Sequence, residues 1–245
     1  MSDLSLSLAT AGELLLSADP VLWAIVVRSL WVSACATLLA CALGLLLGAW
    51  LGVARFRGRD AVLTLLNTFL ALPSVVVGLL VYLLLSRSGP LGHLGWLFSV
   101  KAMIVAQTVL VLPVCMALVR QQIEDADRVH GEQLQSLGAG LLGRGLLLAW
   151  DARFALLTVC IAVFGRAISE VGAVMMVGGN IDGFTRVMTT AIALETSKGD
   201  LPLALALGAV LLWVVLCLNA CIAVLRRWRI RREGSFAGSS GVISA

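Results

Sequence analysis

Arg166 and Glu170 stand four positions apart in the run FGRAISEVGAVMMVGGN, residues 164–180, whose other members carry no charge. On a helix that spacing puts both side chains on one face. If the run crosses a bilayer, each charge costs about 2.5–3.5 kcal/mol at its centre. The two must therefore pair, or face water or protein. Two roles follow. The pair can lock helix packing, or Arg166 can lend positive potential to an anion path while Glu170 restrains it. Gly165, Ser169, Gly172 and Met176 repeat at helical spacing and form a mainly small stripe. Such a stripe lets another helix come close; at a twofold axis it would leave room for a pore.

Beyond this run, Gly178, Gly179 and Asn180 are expected to break the helix. Thr185, Arg186, Thr189, Thr190, Thr196, Ser197 and Lys198 then supply hydroxyls and two cations. A tetrahedral oxyanion offers only acceptors, which these donors suit. The segment VMTTAIALE is too apolar for a plain loop. It is expected to be re-entrant or gate-like, which membrane depth permits only where backbone is buried or lines a cavity. Asp182, Glu195 and Asp200 temper the positive field, as befits a conduit that must release what it binds.

A third feature is the segment 120–153. Its first half is charged and reads as a wet helix. Its second half, 138–150, is apolar apart from Arg144 and too short to span a membrane. In water, Leu141, Leu142, Leu146, Leu147 and Leu148 would form a greasy patch of the kind that marks a partner surface. The alternative is a helix packed under the protein's own membrane domain or lying on lipid.

These features need elements to hold them. The chain has 245 residues, 60% hydrophobic and 13% charged, against about 45–50% and about 25% in soluble domains. That composition excludes an ordinary soluble enzyme and a disordered chain. Apolar stretches at 29–54, 61–85, 102–119, 155–177 and 203–225 reach or nearly reach spanning length. The expected fold is all-α and polytopic, with about five transmembrane helices. Residues 1–28 are expected to form an extracytoplasmic or interfacial segment, 29–225 the membrane domain, and 226–245 a basic tail. Residues 14–27 are read as an interfacial lead-in, with an extension of the first helix as the alternative. The first twenty residues lack a positive start, so no cleaved leader is expected.

Arginines gather at Arg55, Arg57 and Arg59, at Arg120, Arg128, Arg144 and Arg153, and in the tail from Arg226 to Arg232. Arg28, Arg87, Lys101, Arg186 and Lys198 fall on the other side. The richer side is expected in the cytoplasm, placing the N-terminus outside and the C-terminus inside. Pro73 and Pro113 are expected to kink spans two and three. Asn67 and Gln107 are expected to bond between helices. Gly44, Gly48 and Gly52 read as a packing stripe. The six cysteines, Cys35, Cys41, Cys115, Cys160, Cys217 and Cys221, lie in apolar runs and read as small buried hydrophobes, with no metal site and no disulfide frame.

The loop carries part of a motif found in permease subunits of ABC importers, E-A-A-x-x-x-G-x9-I-x-L-P. Glu132 precedes Gly138 by six residues, and Leu148 stands where the family has Ile. Gln133 and Leu134 replace the two alanines, and Trp150-Asp151 replaces Leu-Pro. The runs EVGAVMMVGGN and TRVMTTAIALETSKGD, with LPSVVVGLLVYLLLSRSGPLG and AMIVAQTVLVLP, resemble the permeases of tungstate ABC importers. Molybdate and sulfate permeases are similar at greater distance. The resemblance covers about residues 29–225 and implies a type I importer permease architecture.

It further implies a coupling helix that docks on an ATP-hydrolysing subunit through Glu132, Gly138, Leu141, Leu142, Arg144, Leu146 and Leu147. The translocation path or gate would involve Arg166, Ser169, Glu170, Gly172, Asn180, Thr185, Arg186, Thr189 and Thr190. The chain has no phosphate-binding GxxxxGK[ST] loop, so ATP and Mg²⁺ belong to a cytosolic ABC ATPase subunit and no cofactor is expected here. An extracytoplasmic oxyanion-binding protein, a second copy of the chain and membrane lipid complete the implied partners; nucleic acid is not among them. The implied location is a bacterial or archaeal cytoplasmic membrane. Two other classes compete: a stand-alone secondary transporter or channel for a small anion, and a membrane-embedded enzyme. No clear internal repeat supports the first, and no HExxH or GxSxG the second.

Overall fold

A computed structural model describes residues 10–14, 16, 17 and 19–239. Expectations for residues 1–9 and 240–245, and for the side chain of Leu142, lie outside the described part. Among the described residues there is no strand. Helix α1 spans Pro20–Val53, α2 Arg59–Leu70, α3 Ser74–Leu85 and α4 Val100–Ser136. Then follow α5 Leu141–Asp151, α6 Arg153–Ile168, α7 Gly172–Gly178, α8 Met188–Lys198 and α9 Leu201–Ser239. A short 3₁₀ turn, Gly92–Leu94, precedes α4.

Three helices are long and apolar enough to cross a membrane: α1, α4 and α9 through Leu225. Two bent pairs bring the count to five if each is one span: α2 with α3 at 99°, and α5 from Gly143 with α6 at 80°. The multi-pass, all-α architecture is thus present, but several expected straight spans are not straight.

The first helix starts earlier than the 29–54 stretch. Asp19 caps it, its carboxylate accepting from the amides of Val21 and Leu22, and Pro20 fits the first turn because no partner is needed for its missing N–H. Residues 20–27 therefore extend the first helix. Helix α1 lies along α4, and Gly44, Gly48 and Gly52 make that contact. A Cβ at Gly48 would sit 2.8 Å from the Met116 carbonyl oxygen, and one at Gly44 would sit 2.6 Å from Cys115 Sγ. The stripe is packing, as its spacing suggested.

Span two breaks where a kink was expected. Proline disfavours helical backbone at Leu72 and brings no N–H, so α2 stops and Pro73, with ψ 129°, becomes the cap of α3. Pro113, by contrast, sits inside an uninterrupted α4. Helix α4 also runs far past the 102–119 stretch, carrying its charged end to Ser136. The basic tail continues α9 as a helix to Ser239.

Span four breaks too. Helix α6 ends at Ile168 and α7 begins at Gly172. Met176 and Gly172 are therefore not on the same helix as Gly165, and the expected four-residue stripe is divided. The two broken spans meet: a Cβ at Gly172 would lie 2.7 Å from Ser74 Oγ, and one at Gly78 would lie 2.8 Å from Ala173 Cα.

Of the cysteines, Cys41 and Cys115 are buried, Cys35 and Cys160 partly so, while Cys217 and Cys221 are exposed on α9; all six are free thiols. The reading of all six as buried holds for the bundle core and not for α9, where Cys217 and Cys221 are exposed. Gln107 bonds between helices, whereas Asn67 is exposed and has no such partner among the described residues.

Candidate functional site

Two regions gather the residues singled out above. The first is the turn at one end of the bundle. Gly138 has φ +79°, a left-handed value that glycine adopts without strain, and it reverses the chain between α4 and α5. A Cβ there would meet nothing within 4 Å, so Gly138 serves the turn and not a close approach. Helix α5 then lies against the ends of α1 and α4. Leu148, 1% exposed, joins the core with Val53, Ile123 and Ala152. Away from that contact Leu146, Leu147 and Trp150 are exposed, as are Leu141 in the first turn of α5 and Leu137 at the end of α4. Glu132 is exposed near the end of α4. A hollow of about 200 Å³ between α4 and α5 is lined by His130, Gln133, Leu134, Leu137, Leu147, Leu148 and Asp151.

Arg144 does not join that outer face. It is buried and turned inward, where Nε and Nη2 each bond one oxygen of Asp127 at 2.5 Å. Gly131, one turn beyond Asp127, makes the space: its Cβ would lie 2.8 Å from the carboxylate and 2.9 Å from the guanidinium. Asp127 and Gly131 escaped sequence reading. Their i, i+4 spacing with Ile123 marks a buried face running into the charged half of α4, and that was the available signal.

The second region is the break in span four. Arg166 Nη1 donates to Glu170 Oε2 at 2.7 Å. Glu170 is 3% exposed, and its other oxygen accepts from the Ala173 amide at 3.2 Å. The carboxylate thus serves a helix start as well as a cation. Backbone oxygens at the break also bond distant side chains: Ala167 O accepts from the Glu170 amide at 3.1 Å and from Gln107 Nε2 at 3.0 Å, and Glu170 O accepts from Thr189 Oγ1 at 2.7 Å. Ser169 Oγ donates back to Gly165 O, a bond that competes with the helix ladder. The Arg166 side chain is 43% exposed on the surface of the single chain.

Gly179 (φ +68°) and Asn180 (φ +48°) end α7 as expected. The hydroxyls of Thr185, Thr189, Thr190 and Ser197 are engaged internally. Thr185 donates to Gly178 O at 2.6 Å, and Thr190 bonds the backbone of Val187. Asn180 Nδ2 reaches Thr190 O at 3.3 Å, while its Oδ1 is buried without a partner among the described residues. Arg186 sits between Asp182 at 3.2 Å and Glu195 at 3.7 Å; Lys198 also reaches Glu195. Arg28 donates to the carbonyls of Gly183 and Arg186, and Ser29 Oγ accepts from the Met188 amide at 2.6 Å. The loop and α8 are therefore riveted to α1. VMTTAIALE forms most of α8, with Met188 to Ala191 and Glu195 buried.

Among the described residues no group of three potential ligands could hold a metal ion. No family model matches the chain. It is, however, 43% identical over 212 residues to the tungstate uptake system permease protein TupB of Peptoclostridium acidaminophilum, covering 86% of this chain and 93% of that one. The chain belongs to the tungstate-type permeases of ABC transporters. The permease is also 42% identical to a probable anion ABC transporter permease protein of Haloferax volcanii, over 84% of this chain and 90% of the other. The molybdenum transport permease ModB of Escherichia coli is more distant, at 29% identity over 86% and 95%. The permease is a multi-pass membrane protein, and the exposed face of α5 lies in the loop that the motif reading singled out.

Proposed function

We propose that this permease is the membrane-spanning subunit of an ATP-driven importer that carries tungstate into the cytoplasm. The observation that carries the reading is α5: a short amphipathic helix at the end of the bundle, with Leu148 in the core, Leu146, Leu147 and Trp150 outward and Arg144 anchored inward on Asp127. A leucine-rich face held rigidly at the end of a long helix is suited to seat in a groove of a separate ABC ATPase, which would bind ATP and Mg²⁺. Glu132, Gly138, Leu141, Leu142, Leu146 and Leu147 would form the docking segment and Arg144 would hold its pose.

One coupling helix per chain against a pair of ATPase subunits calls for two copies related by a twofold axis. The break at Ser169–Glu170 and the facing break at Pro73 would then form the moving gate. Arg166, Ser169, Glu170, Gly172, Asn180, Thr185, Arg186, Thr189 and Thr190 would set its shape more than bind the anion, because their polar atoms are largely engaged by protein. An extracytoplasmic binding protein would select and deliver the oxyanion. The arginine-rich end would face the cytoplasm of a bacterial or archaeal cell, with the N-terminus outside and the C-terminus inside.

The test is reconstitution of the permease with its ATPase and binding protein in vesicles. Uptake of tungstate should require ATP and exceed uptake of molybdate and sulfate. Uptake that runs on an ion gradient without ATP would refute the proposal.

A further inference from the structure

Glu124, on α4, stands among four arginines. Arg120 Nη1 bonds it at 2.5 Å, and Arg59 Nη2, Arg128 Nη2 and Arg55 Nη1 lie 3.4, 3.8 and 3.9 Å from it. Among the described residues the one other carboxylate in reach is Asp125, 4.0 Å from Arg128 and itself exposed. Asp60 is exposed and, among the described residues, pairs with none of them. Four guanidiniums therefore share two carboxylates, and the surplus is positive. Arg55 and Arg128 keep 59% and 71% of their side-chain surface. The Nε atoms of Arg59 and Arg120 lack hydrogen-bond partners among the described residues.

Next to this cluster a groove of about 500 Å³ opens between α2, α3 and α4. Its walls are hydrocarbon, among them Leu51, Val62, Phe69, Leu80, Val109 and Met116. The two features touch. Arg59 Nη2 also donates to the carbonyl of Leu51, a groove residue, at 3.4 Å. Val62 is one turn beyond Arg59 on α2, and Met116 one turn before Arg120 on α4. The 99° bend between α2 and α3 holds the groove open.

From this juxtaposition we infer that the groove and the Glu124 cluster form a binding site for one anionic phospholipid of the cytoplasmic leaflet. The phosphate would sit among Arg55, Arg59 and Arg128, and an acyl chain would lie along Leu51, Phe69 and Val109. Basic pockets at the cytoplasmic ends of membrane helices favour anionic head groups, and the volume is within the ~300–1,000 Å³ of small-ligand sites. An oxyanion cargo is a poor occupant of walls without polar groups. A second copy centred here would set arginine against arginine, because a twofold contact meets its own surface. From the proposed function the inference takes only that this end faces the cytoplasm.

The full-length permease, with its co-purifying subunits, is incorporated in nanodiscs of equal phosphatidylglycerol and phosphatidylcholine, and bound lipid is counted by native mass spectrometry after release. The expected result is selective retention of phosphatidylglycerol. Retention should fall about tenfold in the R55Q/R128Q variant and also in Val109→Trp, which fills the groove and keeps every charge. Equal retention of both lipids, or retention untouched by both variants, would overturn the inference. So would displacement by inorganic phosphate as effective as by lipid, which would leave a plain anion site, or disulfide capture between copies at Leu65→Cys in a cysteine-free background. Lipid counting needs no ATPase, so its outcome is separate from that of the uptake assay.

Discussion

Asp127 and Arg144, seventeen positions apart, form a buried bidentate ion pair beneath the exposed face of α5. Their side chains are 5% and 10% exposed, so neither charge has water to fall back on. Removing one partner of such a pair costs about 3–5 kcal/mol because the other is left buried and uncompensated. Asp127→Ala should therefore lower thermal stability in detergent and lose ATPase co-purification. Asp127→Leu with Arg144→Met should recover much of the stability. Normal ATPase binding by Asp127→Ala would show that the pair does not set the pose of α5.

Leu146 and Leu147 are 65% and 52% exposed. Leu146→Asp should leave the melting temperature unchanged within a degree or two, since surface changes are worth about ±0.5 kcal/mol. It should nevertheless abolish pull-down of the ATPase. Intact pull-down together with unchanged stability would remove α5 as the docking element.

At the break in span four, Glu170 both pairs with Arg166 and accepts from the Ala173 amide. Glu170→Gln keeps an acceptor for the amide and should fold, with transport reduced. Glu170→Ala leaves the guanidinium and the amide unmatched and should reduce assembly on size-exclusion chromatography. Adding Arg166→Ala to Glu170→Ala should restore part of that assembly. No recovery in the double variant would mean that the helix-start bond, and not the ion pair, is what assembly requires.

Gly48 packs against α4 with no room for a side chain. Gly48→Ala should destabilise by about 1–3 kcal/mol through overpacking, and Gly48→Leu should prevent folding. Circular dichroism melts measure the first, and expression in the membrane fraction the second. A Gly12→Ala control, where a Cβ meets nothing within 4 Å, should be silent.

Orientation is open to labelling in a cysteine-free background. Arg57→Cys should react with membrane-permeant reagents and not with impermeant ones added outside, whereas Ser88→Cys and Lys198→Cys should react with both. The opposite pattern would reverse the proposed topology and with it the leaflet of the lipid site.

Much of this architecture was legible in residue order because its causes are local. Hydropathy over twenty residues marks where helices lie, the glycine spacing of α1 marks a face for close contact, and Gly178-Gly179-Asn180 ends α7 where three such residues must. The thirteen-residue apolar run could not span, and it became α5. The breaks were less visible. Pro73 looked like a kink, but whether proline bends or ends a helix depends on what can satisfy the freed carbonyls. Helix α6 ends at Ile168 although 155–177 carries one ion pair in an otherwise uncharged run, and Gln107, sixty positions from Ala167, and Thr189, nineteen from Glu170, bond backbone oxygens at that break. Arg144 lay on the expected docking face until Asp127 and Gly131 gave it a buried seat. Four arginines converge on Glu124 from two helices and the turn before α2. Span positions follow from transfer of side chains out of water, which each segment settles alone; partners for buried charges and orphaned carbonyls come from distant segments, and only packing brings those together.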